Sequence, residues 1–221
     1  MLFNELNLTL SQHQLEQFEK YYELLVQWNE KFNLTAITDE EGVYIKHFYD
    51  SLLLTNYQLE GSLCDVGSGA GFPGIPLKIV YPELAVTLIE PTGKRCTFLN
   101  EVISQLDLQN IEVINMRSED YHEKAFDFVT ARAVAQLNIL CELCLPLVSI
   151  GGRFLAMKGP NAFEEVEAAH NAITKLGGKL ESIDEYLLPN GDKRMIVNIL
   201  KEKETPAGYP RSYSRIKKKP L

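Results

Sequence analysis

A glycine-rich segment at residues 65–74 (DVGSGAGFPG) constrains the fold of this chain more than any other feature. It follows a short apolar run at 63–66 and leads into a stretch with helical character. Glycines let the backbone turn sharply and approach a ligand closely, and the amides that open the following helix are expected to be free to donate. The segment therefore predicts a strand–turn–helix unit that binds a ligand at the carboxyl edge of a parallel sheet.

Short β-rich runs and helical stretches alternate from residue 61 onward. The β-rich runs lie at 63–66, 85–90, 111–115, 126–130 and 152–158, and the helical stretches lie near 73–81, 93–106, 136–148 and 161–176. This alternation predicts right-handed crossovers and a mainly parallel sheet. Two further strands, near 179–188 and 194–200, flank the hairpin signal Asn190-Gly191. We therefore predict an α/β fold with a seven-stranded, mostly parallel sheet and an antiparallel last strand.

Two helical segments precede the sheet. Ser11 is a suitable N-cap for the first, whose apolar residues recur at three- and four-residue steps: Leu15, Phe18, Tyr22, Leu25 and Phe32. Thr38 and Glu41 predict a capping box at the start of the second. We expect residues 1–60 to form a helical extension that packs on a core domain of residues 61–206, followed by a tail of residues 207–221.

The glycine segment is compatible with two ligands. Gly69, Gly71 and Gly74 fit the dinucleotide fingerprint G-x-G-x-x-G, which makes a pyrophosphate one alternative. Asp65 argues against it, since its negative charge suits the cationic amino-acid end of S-adenosylmethionine better than a pyrophosphate. In addition, glycines at 67, 69 and 71 after an acid form the usual first motif of a Rossmann-like class I S-adenosylmethionine-dependent methyltransferase.

Three other strand ends carry candidate ligand-binding residues. Glu90 ends the second strand, where a carboxylate can accept hydrogen bonds from both ribose hydroxyls of either an S-adenosylmethionine or an NAD ligand. Ser118 and Glu119 follow the third strand, where adenine is normally held, although a helix N-cap explains this pair equally well. Arg132 stands at the carboxyl edge of the fourth strand, where ligands gather in open α/β sheets, and a surface ion pair is its alternative role.

The absence of certain motifs argues against some classes of methyl acceptor. The Asn/Asp-Pro-Pro-aromatic motif of exocyclic-amine methylation is absent after the fourth strand. Methylation at a pyrimidine carbon requires a cysteine nucleophile. Cys141 and Cys144 lie in an apolar helical stretch, where small core residues are the favoured interpretation. A lone pair at this spacing does not predict a zinc or redox site, so no metal is expected.

Charge is distributed unevenly along the chain. The net charge of the chain is −8. Residues 207–221 carry +5, from Arg211, Arg215, Lys217, Lys218 and Lys219, so that residues 1–206 carry −13. A basic tail with two tyrosines is a candidate phosphate contact, and a solvated tail is the alternative. The N-terminus lacks the pattern of a signal peptide and no apolar run approaches a membrane span. We therefore expect a cytoplasmic protein without a membrane partner.

Several segments together resemble a known family. The chain is similar over nearly its whole length to the ribosomal small-subunit methyltransferase G family, formerly called glucose-inhibited division protein B. The matching segments are 33–36 (NLTA), 47–52 (HFYDSL), 65–76 (DVGSGAGFPGIP), 93–95 (GKR), 98–99 (FL), 131–133 (ARA), 158–159 (KG) and 209–211 (YPR). The resemblance implies methyl transfer from S-adenosylmethionine to N7 of a guanine in 16S ribosomal RNA, within the small ribosomal subunit.

The resemblance also implies roles for individual residues. The cofactor would contact the glycine loop and three later strand ends, through Gly67, Gly69, Phe72, Glu90, Ser118, Glu119 and Arg132. Candidate RNA phosphate contacts are Lys94, Arg95, Lys158 and Arg211, and for each of them taken singly a solvated side chain is the favoured alternative. The chain has glutamate at position 90 where the family usually has aspartate, and serine at 118 where alanine is commoner. Residues 212–216 lack the glycine and proline often found there.

The implied chemistry requires little of the side chains. Guanine N7 carries a lone pair and no proton, so in-line displacement of the methyl group requires no general base. Orientation of the reactants can contribute up to about 7–11 kcal/mol. His47 and Asp50 lie three residues apart on one helix face, where we expect a helix-surface hydrogen bond or a lock between the N-terminal helices and the sheet rather than an acid–base pair. Both residues, with Arg132, are candidates for positioning the reactants. A-form RNA hides its major groove, so the target guanine is expected in a loop or a distorted site.

Two other functions remain open from the residues alone. One is a small-molecule methyltransferase on the same fold, which the acidic body of the chain favours. The other is a non-enzymatic module that binds a nucleotide or dinucleotide. The basic tail and the lack of an obvious apolar substrate lid argue against the first.

Overall fold

A seven-stranded sheet forms the centre of the computed structural model, which describes residues 2–221, so that Met1 of the predicted 1–60 extension lies outside the described residues. The strands are β1 (Ser62–Val66), β2 (Ala85–Ile89), β3 (Ile111–Ile114), β4 (Phe126–Arg132), β5 (Val148–Lys158), β6 (Gly178–Leu187) and β7 (Lys193–Lys201). They are ordered β3-β2-β1-β4-β5-β7-β6. β7 runs antiparallel to both of its neighbours, and the other described pairings are parallel. The predicted sheet and its terminal hairpin are confirmed.

The N-terminal helices cover one face of this sheet. They are α1 (Gln12–Phe32), α2 (Glu40–Val43) and α3 (Asp50–Leu52), with a π-helical segment at Tyr44–Tyr49 that joins α2 to α3. Ser11 caps α1 in a capping box with Gln14, as the first helix was predicted to begin. The predicted box at Thr38 is wrong, because Asp39 is the N-cap of α2 and accepts the Gly42 amide at 2.7 Å. A carboxylate accepts this bond more strongly than a hydroxyl does.

Helices connect the parallel strands where the sequence predicted them. They are α4 (Gly74–Val80), α5 (Gly93–Gln105), α6 (Leu137–Cys144) and α7 (Ala162–Lys175). Right-handed crossovers bring the carboxyl ends of the central strands β1, β2 and β4 to one edge of the sheet. The residues that follow these strands are therefore close in space, although they are distant in sequence.

Two apolar clusters fill the layers on either side of the sheet. The first joins the N-terminal helices to the sheet, with Phe18, Leu25 and Phe48 packed in one cluster with Leu63 and Leu88. Each such side chain, when fully buried, contributes about 1.5–3 kcal/mol. Residues 2–60 therefore share their core with the sheet. The division of the chain into three segments at 60 and 206 stays a prediction.

The second cluster contains the two cysteines of α6. Cys141 and Cys144 are both fully buried, and burial raises the pKa of the Cys144 thiol well above its ordinary value. A thiol of this kind is neither ionised nor accessible, so it cannot act as a nucleophile. The interpretation of these cysteines as small core residues agrees with this environment.

The basic tail is folded against the second cluster. Its helix α8 (Tyr213–Lys218) buries Ile216 completely. Arg211 holds the fully buried carboxylate of Glu142 in α6, with Nε at 2.8 Å from Oε1 and Nη2 at 2.6 Å from Oε2. The Arg211 backbone amide donates to the same carboxylate at 2.8 Å. The tail is thus anchored by an apolar residue and a bidentate ion pair, and a purely solvated tail is excluded.

Replacing Arg211 tests how much this anchor stabilises the fold. We expect Arg211→Met to lower the free energy of unfolding by about 3 kcal/mol, because it leaves the buried Glu142 carboxylate without its charge partner. Urea denaturation measures the change. Arg215→Met is the matched control on the exposed side of the tail and should change stability by less than about 0.5 kcal/mol. The double variant Arg211→Met, Glu142→Gln should recover much of the lost unfolding free energy, because it also removes the buried charge. If Arg211→Met and Arg215→Met destabilise the protein equally, the ion pair with Glu142 does not anchor the tail.

Candidate functional site

The glycine loop follows β1 and forms the floor of a cleft at the carboxyl edge of the sheet. Gly67, Gly69 and Gly71 all have positive φ, at 72°, 59° and 99°. L side chains rarely adopt this conformation, so the local turn requires glycine. A Cβ at Gly67 would lie 2.7 Å from Val134 Cγ2, whereas at Gly69 its nearest neighbour would be the Gly67 carbonyl at 3.8 Å. The backbone at Gly69 is therefore open for a ligand to approach.

Glu90 fixes the loop from the neighbouring strand. Its buried carboxylate accepts the Gly69 amide at Oε2 (2.9 Å) and the Thr92 amide at Oε1 (2.8 Å). Arg95 Nη1 lies 3.7 Å from Oε2. The carboxylate predicted to hold a ribose is thus already oriented by two backbone donors. Each carboxylate oxygen keeps a further lone pair that can accept a hydroxyl hydrogen bond.

The expectation that the amides opening the helix behind the glycines are free to donate is wrong, since the Ile75 amide donates to the Gly71 carbonyl, and the loop amides are engaged as well. The Gly67 and Ser68 amides donate to the Ile89 carbonyl, and the Gly71 and Phe72 amides donate to the Ser68 carbonyl. The amide of Gly74, at the start of α4, donates to Asp65 Oδ2 at 2.9 Å. A pyrophosphate needs such amides as donors. Because they have protein acceptors here, and because two carboxylates flank the loop, the geometry disfavours a dinucleotide.

Asp65 lies beneath the loop and not in the cleft. It is fully buried, its Oδ1 has no hydrogen-bond partner, and burial raises its pKa to about 7. Asp65 does not line the cleft, and the suitability of its charge for a cationic ligand stays a prediction. Its role is to hold α4 to β1 through Gly74, and its charge can act on the cleft only through the intervening loop.

Tyr21 is a functional residue that the sequence pattern did not reveal. Its hydroxyl donates to the Ala70 carbonyl in the glycine loop at 2.5 Å, from a fully buried position on α1. The same side chain would lie 2.6 Å from a Cβ at Gly71. The N-terminal extension therefore shapes the glycine loop directly. The apolar periodicity of a helix predicts which of its residues are buried. It does not predict that one of its tyrosines will bond to a carbonyl 49 residues later in the sequence.

A stack of three side chains forms one wall of the cleft. The His47 ring lies parallel to the Phe72 ring with centroids 4.6 Å apart, and Arg132 Cζ lies 5.0 Å from the Phe72 centroid. His47 Nε2 is 2.9 Å from Thr35 Oγ1. Burial, and the nearby Arg132 charge, lower the pKa of His47 to about 4. The imidazole is therefore neutral near pH 7, and its two ring nitrogens face protein groups.

Arg132 joins β4 to the N-terminal helices. Its Nη1 donates to Asp50 Oδ2 at 2.8 Å, and both side chains are largely buried. The same nitrogen lies within 3.4 Å of the Lys46 and His47 carbonyls. Arg194 of β7 approaches the second carboxylate oxygen of Asp50, with Nε 3.2 Å from Oδ1. Asp50 and Arg132, with the adjacent His47, thus form a lock between the helices and the sheet, and the part of these three residues in positioning reactants stays a prediction.

Two cavities adjoin this lock. The first, of about 380 Å³, is lined by five of the predicted cofactor residues, Gly67, Gly69, Phe72, Glu90 and Arg132, together with His47 and Arg95. The second, of about 400 Å³, lies on the other side of Arg132 and is lined by Asp50, Lys158 and Arg194 among others. His47, Arg132 and Ala133 line both cavities. The structure therefore provides two adjacent compartments that share part of their lining.

Ser118 and Glu119 lie apart from this lining. They form a short 3-10 turn, Ser118–Asp120, and both are buried. Arg117, which precedes the turn, places Cζ 5.2 Å from the Tyr213 ring of the tail. The turn is thus in contact with the basic tail, and a role for Ser118 and Glu119 in holding adenine stays a prediction.

The four predicted RNA contacts differ in their availability. Lys94 is exposed at the start of α5, and Arg95 is partly exposed beside Glu90. Lys158 is largely buried, with Nζ 2.6 Å from Glu165 Oε2 and 2.9 Å from the Ala135 carbonyl. Arg211 is engaged with Glu142. Lys94 is exposed and lies over the Phe32 ring, whereas Arg95, Lys158 and Arg211 are each engaged in an ion pair, with Glu90, Glu165 and Glu142 respectively.

No metal site or membrane-spanning helix is found in residues 2–221. No three His, Cys, Asp or Glu side chains in that range are grouped so as to hold an ion. None of the helices there is long and apolar enough to cross a membrane.

Solved structures with a similar fold are known. M. jannaschii TYW2 in complex with AdoMet superposes with a TM-score of 0.56 at 17% identity, covering 74% of this chain and 77% of that one. A precorrin-6y C5,15-methyltransferase from Geobacter metallireducens gives 0.53 at 12% identity, covering 75% and 90%. At these identities the likeness concerns the fold alone, which is the Rossmann-like class I methyltransferase fold.

Other known proteins are much more similar to this chain in sequence than these solved structures are. Proteins named "Ribosomal RNA small subunit methyltransferase G" from Staphylococcus carnosus, Leuconostoc citreum and Streptococcus pneumoniae are 49%, 46% and 48% identical. The matches cover 98%, 99% and 100% of this chain and 95%, 95% and 97% of those proteins. A family model described as "rRNA small subunit methyltransferase G" matches residues 14–196. The chain therefore belongs to the rRNA small subunit methyltransferase G family, whose members are S-adenosylmethionine-dependent methyltransferases.

Proposed function

We propose that this protein transfers a methyl group from S-adenosylmethionine to N7 of a guanine in 16S ribosomal RNA, within the small ribosomal subunit in the cytoplasm. The observation that carries the proposal is the oriented Glu90 carboxylate beside the open Gly69 backbone, in a cavity that adjoins a second one. The first cavity suits the cofactor and the second suits the base. Family membership supports an rRNA substrate over a small molecule or a non-enzymatic role.

The residues of the first cavity fit S-adenosylmethionine. Its ribose hydroxyls find an acceptor in Glu90, and the turn at Gly69 leaves room that a Cβ would occupy. The acidic surroundings suit a ligand with a positive sulfonium, and the loop amides are already used within the protein. When bound, the cofactor supplies an electrophilic methyl group on its sulfonium.

The protein itself has to align the reactants and keep water out. Phe72 and His47 provide a flat, largely apolar wall at the boundary of the two cavities, and Arg132 holds that wall in place. Guanine N7 has no proton to lose, so the neutral His47 has no role as a general base. This fits a ring whose pKa is lowered to about 4 and whose nitrogens face Lys46 and Thr35. Positioning of this kind accounts for up to about 7–11 kcal/mol of a reaction barrier.

Methylation of ribosomal RNA tests the function directly. Small subunits from a strain that lacks the gene, incubated with the protein and S-adenosylmethionine, should gain one 7-methylguanine in 16S RNA. Mass analysis of digested nucleosides measures the product, and protein-free 16S RNA tested in parallel shows whether the assembled subunit is required. If no 7-methylguanine appears in either substrate, the proposed reaction is wrong.

Replacing Glu90 tests the cofactor site. We expect Glu90→Gln to weaken S-adenosylmethionine binding by about 10- to 100-fold, because an amide offers one acceptor oxygen where the carboxylate offers two charged ones. Isothermal titration calorimetry measures the Kd. Glu112→Gln, which alters a half-exposed carboxylate on the adjacent strand β3, is the matched control. Affinities that fall equally in both variants would show that Glu90 has no specific part in binding.

The exposed lysines of the tail test the RNA contact without disturbing the Arg211 anchor. Replacing Lys217, Lys218 and Lys219 by glutamine should raise KM for the RNA substrate and leave the cofactor Kd unchanged. The slope of log affinity against log salt should fall by about 0.7–0.9 for each phosphate contact that is lost. Triple replacement of the exposed Lys20, Lys31 and Lys179, away from the tail, is the control. An unaltered salt slope would mean that the tail does not meet RNA.

A further inference from the structure

The second cavity contains a buried carboxylate with unused hydrogen-bonding capacity. Asp50 lines this cavity and is 3% exposed. Its Oδ2 accepts Arg132, but its Oδ1 has no hydrogen-bond partner. Arg194 Nε is within ion-pair distance of Oδ1 at 3.2 Å, yet it is not aligned to donate to it. A buried acceptor of this kind is costly to leave unpaired, which points to a ligand donor.

The proposed nucleophile decides which edge of the base the protein can read. Proteins most often recognise guanine through arginine or lysine donors to O6 and N7. That mode is closed here, because N7 must keep its lone pair free for the methyl group. The donors N1–H and N2–H₂ on the opposite edge remain, and they distinguish guanine from adenine. Recognition of these donors requires an acceptor, for which a carboxylate is well suited.

We propose that Asp50 recognises the target guanine by accepting hydrogen bonds from its N1–H and N2–H₂ edge in the second cavity. This inference rests on the proposed function. Asp50 is the only carboxylate among the described residues that line the cavity. The apolar side chains of Ile37, Leu53, Met157, Met195 and Ile196 in the same lining provide surfaces for the faces of a purine ring. Arg132 and Arg194 place two positive charges beside the carboxylate and set its orientation.

The same contact assists the reaction. N7 donates its lone pair to the methyl carbon, the pair of the carbon–sulfur bond stays on sulfur as a neutral thioether, and the purine becomes cationic. Positive charge on the ring makes N1–H a stronger hydrogen-bond donor, and the proton stays on N1. The bond to Asp50 is therefore stronger in the transition state than in the ground state, and such a difference accelerates catalysis.

Analogues of the target base test the inference with the unaltered protein. Once the methylated position is mapped, 16S RNA is assembled by ligation with 1-methylguanosine or inosine at that position, and both analogues retain N7. We expect kcat/KM to fall by about 100-fold with 1-methylguanosine and by about 10-fold with inosine, because each leaves part of the carboxylate unpaired. The inference is overturned if the protein methylates inosine and 1-methylguanosine as fast as it methylates guanosine. The formation of 7-methylguanine on the natural RNA would still support the proposed function in that case.

A protein variant provides the second test. Asp50→Asn should lower kcat on the natural RNA by about 100-fold and should lose its discrimination between guanosine and inosine, which a loss of packing alone would not produce. Asp192→Asn is the matched control, since Asp192 also approaches Arg194 and Lys46 but is partly exposed and lies outside the lining. If Asp50→Asn still discriminates between the two bases as strongly as the unaltered protein, the carboxylate has a structural role only.

Discussion

The ion pair between Asp50 and Arg132 is the interaction on which the rest of the site depends. It connects the segment after α2 to the end of β4, and Arg132 also lies over the Phe72 ring. Removing two charges from water costs several kcal/mol per ion, and their attraction repays this only with good geometry. Arg132 meets that condition through further contacts to the Lys46 and His47 carbonyls. Because it lines both cavities, its position determines how the two compartments meet.

The architecture of the sheet was predictable because its causes are local in the sequence. Alternating β-rich and helical runs imply parallel crossovers, and Asn190-Gly191 marks the one hairpin. The cap at Asp39 was missed because Thr38 and Asp39 are both good caps, and only the backbone geometry decides between them. The position of a residue in the cleft was predictable where that residue ends a strand, as Glu90 does. It was not predictable where a distant helix contributes, as Tyr21 does at Ala70.

Charge explains how an acidic protein can hold both a cation and an RNA. The carboxylates of Asp65 and Glu90 surround the glycine loop, where a sulfonium ligand benefits from negative surroundings. Basic residues are concentrated on the folded tail, which contacts the turn at Ser118–Asp120 through Arg117 and Tyr213. The tail is fixed through Glu142, so its lysines are presented from a defined surface of the protein. A net charge of −8 therefore says little about the partner, since the sign of the local field differs between these two regions.

The N-terminal segment contributes to both cavities beside a sheet of widespread fold. The chain is similar in fold to methyltransferase structures over 75% and 74% of its length, and the glycine loop after β1 forms the floor of the first cavity. The walls that His47, Asp50 and Leu53 contribute come instead from residues before β1. They are held by an ion pair to β4 and by a helix that also bonds the glycine loop through Tyr21. A change in the position of this segment would therefore alter the cofactor loop and the second cavity together, which couples the two compartments through ordinary packing.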